Sequence, residues 1–151
     1  MKINLGSGSR HQEGFINIDI NPSVNPDLVA DISEGLPFED SSVDYVRAFD
    51  FLEHIEMGKT IDVIDEIWRV LKPGGQFESF TPDAEYGQGA FQDPTHVSFW
   101  VENTWLYFTE AAWGKNYGIK SNFTMKALER VNTKSSYRIF HLHVLLEKEQ
   151  A

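Results

Sequence analysis

A chain of 151 residues is long enough for one domain with a real core, and 41% hydrophobic with 13% aromatic residues excludes a disordered or fibrous chain. The absence of cysteine excludes a disulfide framework, thiolate metal centres and a cysteine nucleophile, and fits a cytoplasmic setting. A formal charge of −10, from 23 acidic against 13 basic side chains, argues against a nucleic-acid partner, because phosphate contacts need local positive potential. No apolar run approaches the ~20 residues of a membrane span.

Residues 1–5 (MKINL) alternate and run into Gly6, which predicts a first strand and leaves no leader peptide before it. Residues 15–20 (FINIDI) alternate again and predict a second strand. Residues 21–27, with their prolines and asparagines, predict a loop. A short apolar strand is expected at 28–32, a turn around Pro37 at 35–42, and a fourth strand at 43–49. Apolar residues at 61, 64, 67, 68 and 71 fall on one helical face, so 60–71 predict a helix, which Pro73-Gly74-Gly75 stops. Residues 76–81 predict a fifth strand. The stretch 83–117 is dense in aromatics without a clean period. After it, 123–131 and 137–147 read as two longer strands joined by 132–135.

Strands joined by crossovers imply a parallel sheet, and the closing hairpin adds an antiparallel pair. The expectation is a single α/β domain over 1–151, with a Rossmann-like, mostly parallel sheet and a C-terminal antiparallel hairpin. Residues 83–117 form an aromatic cap or acceptor-binding segment. The sequence shows no internal repeat and no low-complexity stretch.

Three features stand at successive strand ends. Gly6-Ser7-Gly8 lets the backbone turn tightly and approach a ligand. Asp19, at the end of the second strand, has a carboxylate that can accept both hydroxyls of a ribose. Asp31 can accept an adenine amino group while Ile32 covers a ring face; as an alternative, Asp31 caps a turn. Each feature alone is weak. Their order matters, because ligands of open parallel sheets sit at the carboxyl ends of the strands.

At this point the chain resembles the class I S-adenosylmethionine (SAM)-dependent methyltransferases, and most of all the short type 11-like proteins linked to cell-surface sugar modification. The matching stretches are INLGSGS (3–9), INIDI (16–20), VADISEGLPFEDSSVDYV (29–46), FLEHI (51–55) and WRVLKPGGQF (68–77). The resemblance implies SAM as cofactor. It puts Gly6 and Gly8 at the methionine and ribose, Asp19 and Ile20 at the ribose, and Asp31 and Ile32 at the adenine. Phe49 would offer its backbone to the methionine amino group. Asn4 stands where the family has an acidic residue, and Arg10 stands where it has a third glycine. Both are expected at the cofactor, with Arg10 pairing to the SAM carboxylate. The link 7–14 is shorter than a parallel crossover with its helix, which needs at least ~10–12 residues. That helix is expected to be short or missing, as is the helix that precedes the first strand in the family. The fold is thus reduced at its N-terminus, and a homo-oligomeric partner would complete the site.

Methyl transfer needs alignment, exclusion of water and, for a hydroxyl acceptor, a proton acceptor. His96, Asp93 and His54 are the catalytic candidates, since an imidazole titrates near neutral pH. Glu53 and Trp105 are the expected acceptor contacts. No His/Asp/Glu set has recognised metal-binding spacing, so no metal is expected. His141 and His143 share a face of the last strand and read as structural. The expected reaction is methylation of an oxygen or nitrogen on a small-molecule or glycan-type acceptor. Two rivals are a catalytically inactive SAM-binding or scaffold module of the same fold, and an NAD-dependent Rossmann oxidoreductase. The latter needs a third loop glycine and a helix N-terminus for its pyrophosphate.

Overall fold

The computed structural model describes residues 1–150 (for Ser135, the backbone alone). The alternating segments form one seven-stranded sheet. Its strands are β1 (Lys2–Leu5), β2 (Ile16–Asp19), β3 (Leu28–Val29), β4 (Val43–Phe49), β5 (Leu71–Gly87), β6 (Phe123–Lys134) and β7 (Ile139–Lys148). Their order across the sheet is β3-β2-β1-β4-β5-β7-β6. The first five strands run parallel, and β7 lies antiparallel to both β5 and β6. The chain steps outward from β1 to β3 and then returns to the other side of β1 with β4. The carboxyl ends of β1 and β4 therefore part company, and this is where an open parallel sheet leaves a crevice.

Alternation explains the faces. Ile3, Leu5, Ile18, Val46, Ala48, Phe77, Leu142, Val144 and Leu146 are all fully buried in one apolar cluster. The helix α1 (Thr60–Val70) joins that cluster through Val63, Ile64, Ile67 and Val70, and its cap at Leu71 is extended. Burial of each such aliphatic side chain contributes about 1.5–3 kcal/mol. Trp100, Trp105, Phe108 and Phe123 complete the cluster, with the Trp100 and Trp105 rings 4.9 Å apart. Much of the aromatic stretch is thus core. The remainder forms short helical turns: α2 (Gly89–Gln92), α3 (Leu106–Thr109) and α4 (Ala111–Gly114).

The other face of the sheet is polar. Asn4, Asn17, Tyr45, Arg47, Glu78 and His143 lie along it, joined to one another. The Asn4 amide donates to Asn17 Oδ1 at 3.0 Å, the Tyr45 hydroxyl donates to Glu78, and His143 Nε2 meets Glu78 Oε1 at 2.7 Å. The expected gap in the crossover is real. Residues 6–15 link β1 to β2 without a helix.

Several boundaries differ from the sequence reading: β5 runs on to Gly87, β6 runs to Lys134 through most of the expected 132–135 link, and β7 begins at Ile139. The third strand keeps two residues, because Asp31 turns the chain into a 3-10 turn at Ile32–Glu34. The fifth strand starts at Leu71 and takes in the Pro-Gly-Gly turn as an irregularity against β4, with Gly74 at φ +78°. No helix among the described residues is long and apolar enough to cross a membrane.

Candidate active site

The first cleft opens at the carboxyl ends of β1, β2 and β3 and has a volume of about 580 Å³. Its floor is the turn after β1. Gly6 takes φ +60° and Gly8 φ +50°, and the Ser7 amide donates to the Ile18 carbonyl at 3.0 Å. A side chain on Gly6 would collide with the ring of Phe51, which closes this end of the cleft. Gly8 is used differently. Its amide donates to Asp19 Oδ2 at 2.8 Å, while the Asn21 amide donates to Asp19 Oδ1 at 2.9 Å. The Asp19 carboxylate is therefore aimed, and each of its oxygens keeps acceptor capacity for a ligand hydroxyl. Asp31 uses Oδ1 to cap the next turn, accepting from the Ser33 amide at 2.9 Å and the Ser33 hydroxyl at 2.7 Å. Asp31 itself lines the cleft, and neither Ser33 bond uses its Oδ2. Ile32, almost fully buried, and the exposed Ile20 supply apolar walls. Carboxylates for ribose and amine, flat apolar walls and a glycine turn fit the nucleoside half of SAM.

The second cleft lies beside the first, with a volume of about 500 Å³, and the two share Asp50 and His54. Asp50 follows β4 at φ +50°, which swings its side chain out of the strand register. Its Oδ1 meets His141 Nε2 at 2.9 Å and its Oδ2 meets Arg10 Nη2 at 3.2 Å. Burial alone would raise its carboxyl, but these two cationic or donor partners outweigh it and hold the group below the usual range. His141 also meets Thr133 Oγ1 through Nδ1 at 2.9 Å and stacks on Phe80 with centroids 4.5 Å apart.

Two segments far apart in sequence are tied together here. The Glu53 carbonyl accepts from the Val97 amide at 2.8 Å and the Ser98 amide at 3.2 Å, and Ser98 Oγ donates to the Leu52 carbonyl at 2.8 Å. These bonds bring His96 against His54, with ring centroids 5.0 Å apart. The Glu53 side chain is 2% exposed, and neither carboxylate oxygen has a hydrogen-bond partner among the described residues. Desolvation pushes its carboxyl up to about 8. His96 Nδ1 lies 3.0 Å from the Ala90 carbonyl, so the proton belongs on Nδ1 and Nε2 presents a lone pair. Asp93 accepts from the Thr95 amide and hydroxyl at 2.8 and 2.7 Å, which lowers its carboxyl below the usual range. Its Oδ2 lies 3.7 Å from His96 Nε2. Sequence spacing gave no sign of a metal centre, yet the fold gathers donor atoms of Glu53, His54 and His96 within 4.8 Å of one another.

The residues expected at the cofactor divide. Gly6, Asp19, Ile20, Asp31 and Ile32 line the first cleft, and Gly8 fixes Asp19. Asn4 does not reach it. Asn4 is buried on the polar face, where it donates to Asn17 and accepts from Arg47 at 3.4 Å, and so supports the loop from behind. Arg10 lines the second cleft instead, because Asp50 captures its guanidinium. The Phe49 ring lies on the polar face under Arg47, 3.8 Å from the guanidinium carbon, while its backbone, the part expected at the methionine amino group, ends β4 beside Asp50. Among side chains at this strand end, Asp50 forms the wall of both clefts. Trp105, expected to touch the acceptor, is fully buried against Phe77, Trp100 and Phe108 and is a core residue. His54, Glu53, Asp93 and His96 all face the second cleft. Sequence reading missed Asp50, Phe51 and His141. The first two sit in the FDFLEH run right after β4, a position that could have marked them. His141 depends on register against β5, which the sequence does not display.

Residues 10–78 match the family described as a methyltransferase domain, type 11. No match is found among curated proteins. Solved structures match along nearly the whole chain. A SAM-dependent methyltransferase of Methanosarcina mazei is 17% identical with a TM-score of 0.67, over 99% of this chain and 92% of that one. A SAM-dependent methyltransferase of Archaeoglobus fulgidus is 15% identical with a TM-score of 0.70, over 97% and 85%. The PH0226 protein of Pyrococcus horikoshii is 19% identical with a TM-score of 0.67, over 98% and 81%. At such identities the structural likeness speaks for the fold, and the family match speaks for the domain.

Proposed function

We propose that this chain, whose residues 10–78 match the methyltransferase domain family, is a class I SAM-dependent methyltransferase of the type 11 kind and methylates an oxygen or nitrogen of a small-molecule or glycan-type acceptor held in the second cleft. One observation carries this reading: the nucleoside-type cleft and the polar second cleft meet across a shared wall, Asp50 and His54. A displacement at a methyl carbon needs that adjacency, because acceptor atom, methyl and sulfur must lie in line.

SAM supplies an electrophilic methyl group on a sulfonium, and the protein supplies position and polarity. Asp19 and Asp31 hold the nucleoside. Phe51 and Ile32 exclude water around it. On the acceptor side, His54, Asp93 and His96 meet the reacting group and activate it. The acceptor atom bonds to the methyl carbon as the carbon–sulfur bond breaks, and the acceptor proton leaves into the second cleft. The acidic composition and the lining of that cleft favour a neutral or cationic small acceptor over a polyanion.

The bare 6–15 link supports a second reading, a module that binds SAM without turning it over. Transfer of isotopically labelled methyl from SAM to a panel of hydroxylated, amine and saccharide acceptors separates the two. Labelled product that falls at least ~10-fold with His96→Ala is the expected result for a group acting in proton transfer or acceptor activation. Cofactor binding with no product across the panel would favour the non-catalytic module.

A further inference from the structure

The side chains Glu53, His54 and His96 pose a problem that acceptor binding alone does not solve. Glu53 is 2% exposed, and both of its carboxylate oxygens lack a hydrogen-bond partner among the described residues. Buried polar groups are normally paired, and a buried carboxyl group facing nothing is costly. The Arg10 guanidinium, whose charge is felt at Glu53, is already held by Asp50 at 3.2 Å. What stands before Glu53 instead is a pair of imidazoles, and one donor atom from each of the three residues lies within 4.8 Å of the others. Ligands of a four-coordinate zinc, at ~2.0–2.2 Å from the ion, stand about 3.4 Å apart. Closing the set around one ion takes movements of under about 1 Å per ligand on that geometry.

The surroundings are those of a ligand set. His96 has Nδ1 fixed by the Ala90 carbonyl at 3.0 Å, which turns the lone pair of Nε2 toward the cluster. Metal-binding histidines are held in this way by a carbonyl or carboxylate on the far nitrogen. His54 has Thr95 Oγ1 at 3.4 Å from Nδ1. The Glu53 carbonyl, clamped by the Val97 and Ser98 amides, locks the Glu53-His54 turn to the segment that carries His96. Three protein ligands leave at least one coordination position open, and all three residues line the second cleft.

Resting on the methyl-transfer reading for the identity of the cleft, we propose that Glu53, His54 and His96 bind one divalent transition-metal ion whose open position takes the acceptor's oxygen. Two imidazoles with one carboxylate, in a chain without cysteine, select ions of the zinc, cobalt, manganese and iron(II) class over calcium or magnesium. Bound there, the ion compensates Glu53 and polarises an acceptor hydroxyl so that its proton leaves more readily. His54 and His96 then activate the acceptor as ligands of the ion.

Cobalt(II) titration of the full chain tests this, with visible d–d absorption as the readout and S-adenosylhomocysteine binding measured on the same samples. The expected result is a saturating band at one Co(II) per chain. Glu53→Gln and His96→Ala should each weaken Co(II) binding by more than ~10-fold, and His143→Ala, outside the cluster, should leave it unchanged. Circular dichroism checks each fold. If His96→Ala does not fold, the exposed His54→Ala gives the same reading. Absence of a band in the wild type, or binding unmoved by Glu53→Gln and His54→Ala, overturns the metal site. If S-adenosylhomocysteine still binds in that case, the methyl-transfer reading stands without the ion. A Co(II)-binding protein that takes no S-adenosylhomocysteine would instead sink that reading and keep the site.

Discussion

Gly6 and Gly8 both take positive φ, yet they answer to different demands. A Cβ on Gly8 meets nothing within 4 Å, so Gly8→Ala should cost only the backbone strain of about 1–2 kcal/mol. A Cβ on Gly6 runs into the Phe51 ring as well. Gly6→Ala should therefore cost clearly more in urea unfolding and should also distort the cofactor cleft, because Phe51 is part of its wall. Equal costs for the two substitutions would count against this account. Asp44 offers a pH test at the same scale. Chiefly through the Lys72 ammonium at 2.7 Å, its carboxyl is lowered to about 2, against an ordinary value of ~3.9. A lowered carboxyl stabilises the fold fully above its ordinary value, and that contribution is lost as the pH falls through about 2. Lys72→Met should move the Asp44 titration upward, as read by carboxyl-carbon NMR. That Asp19 and Asp31 stand at one cleft was legible in the sequence, because Asp19 ends a strand whose alternation is plain and Asp31 follows the next apolar segment. Asp50 was not legible, because its role depends on φ +50° at a residue that carries a side chain. Trp105 shows the opposite limit. Aromatic density marked the segment, but density does not tell a core ring from a cleft ring, and only burial does.

The elements follow from period and punctuation. The helix was readable because Ile64, Ile67 and their neighbours repeat on one face, and Ile67→Ala should destabilise the fold by about 2–5 kcal/mol in chemical denaturation, as for a fully buried aliphatic. A cost under ~1 kcal/mol would mean that α1 is not packed as described. Strand β3 shrank because the Asp31 side chain competes for the backbone and begins a turn. The acceptor side of the site lay beyond sequence reading for another reason. Its groups come from residues 50–54 and 90–98, and no local pattern announces that the Glu53 carbonyl accepts from Val97 and Ser98. Ser98 is the accessible test of that clamp. Its hydroxyl donates to the Leu52 carbonyl and accepts from Trp100 Nε1 at 3.1 Å. Ser98→Ala leaves the buried Trp100 Nε1 without its partner and the Leu52 carbonyl with the Ile55 amide alone, and should cost about 1–3 kcal/mol in stability. It should also loosen the His54–His96 pairing, seen as altered imidazole NMR shifts.

Across the whole molecule, one side of the sheet is an apolar core and the other a network of polar side chains, with no helix in the 6–15 link between β1 and β2. The reversal of strand order at β1 and β4 places both clefts at the same edge. A mostly parallel sheet closed by an antiparallel pair could be expected from the sequence; the contact between the clefts could not, since it passes through Asp50. The central claim is that the first cleft takes the nucleoside of SAM through Asp19 and Asp31. Calorimetry with S-adenosylhomocysteine tests it most directly. Wild-type protein should bind one equivalent. Asp19→Ala, which removes charged hydrogen bonds worth about 1.5–3 kcal/mol each, should weaken that binding by ~10-fold or more. No heat of binding from folded wild-type protein at millimolar ligand, or the same affinity in Asp19→Ala, would contradict the account.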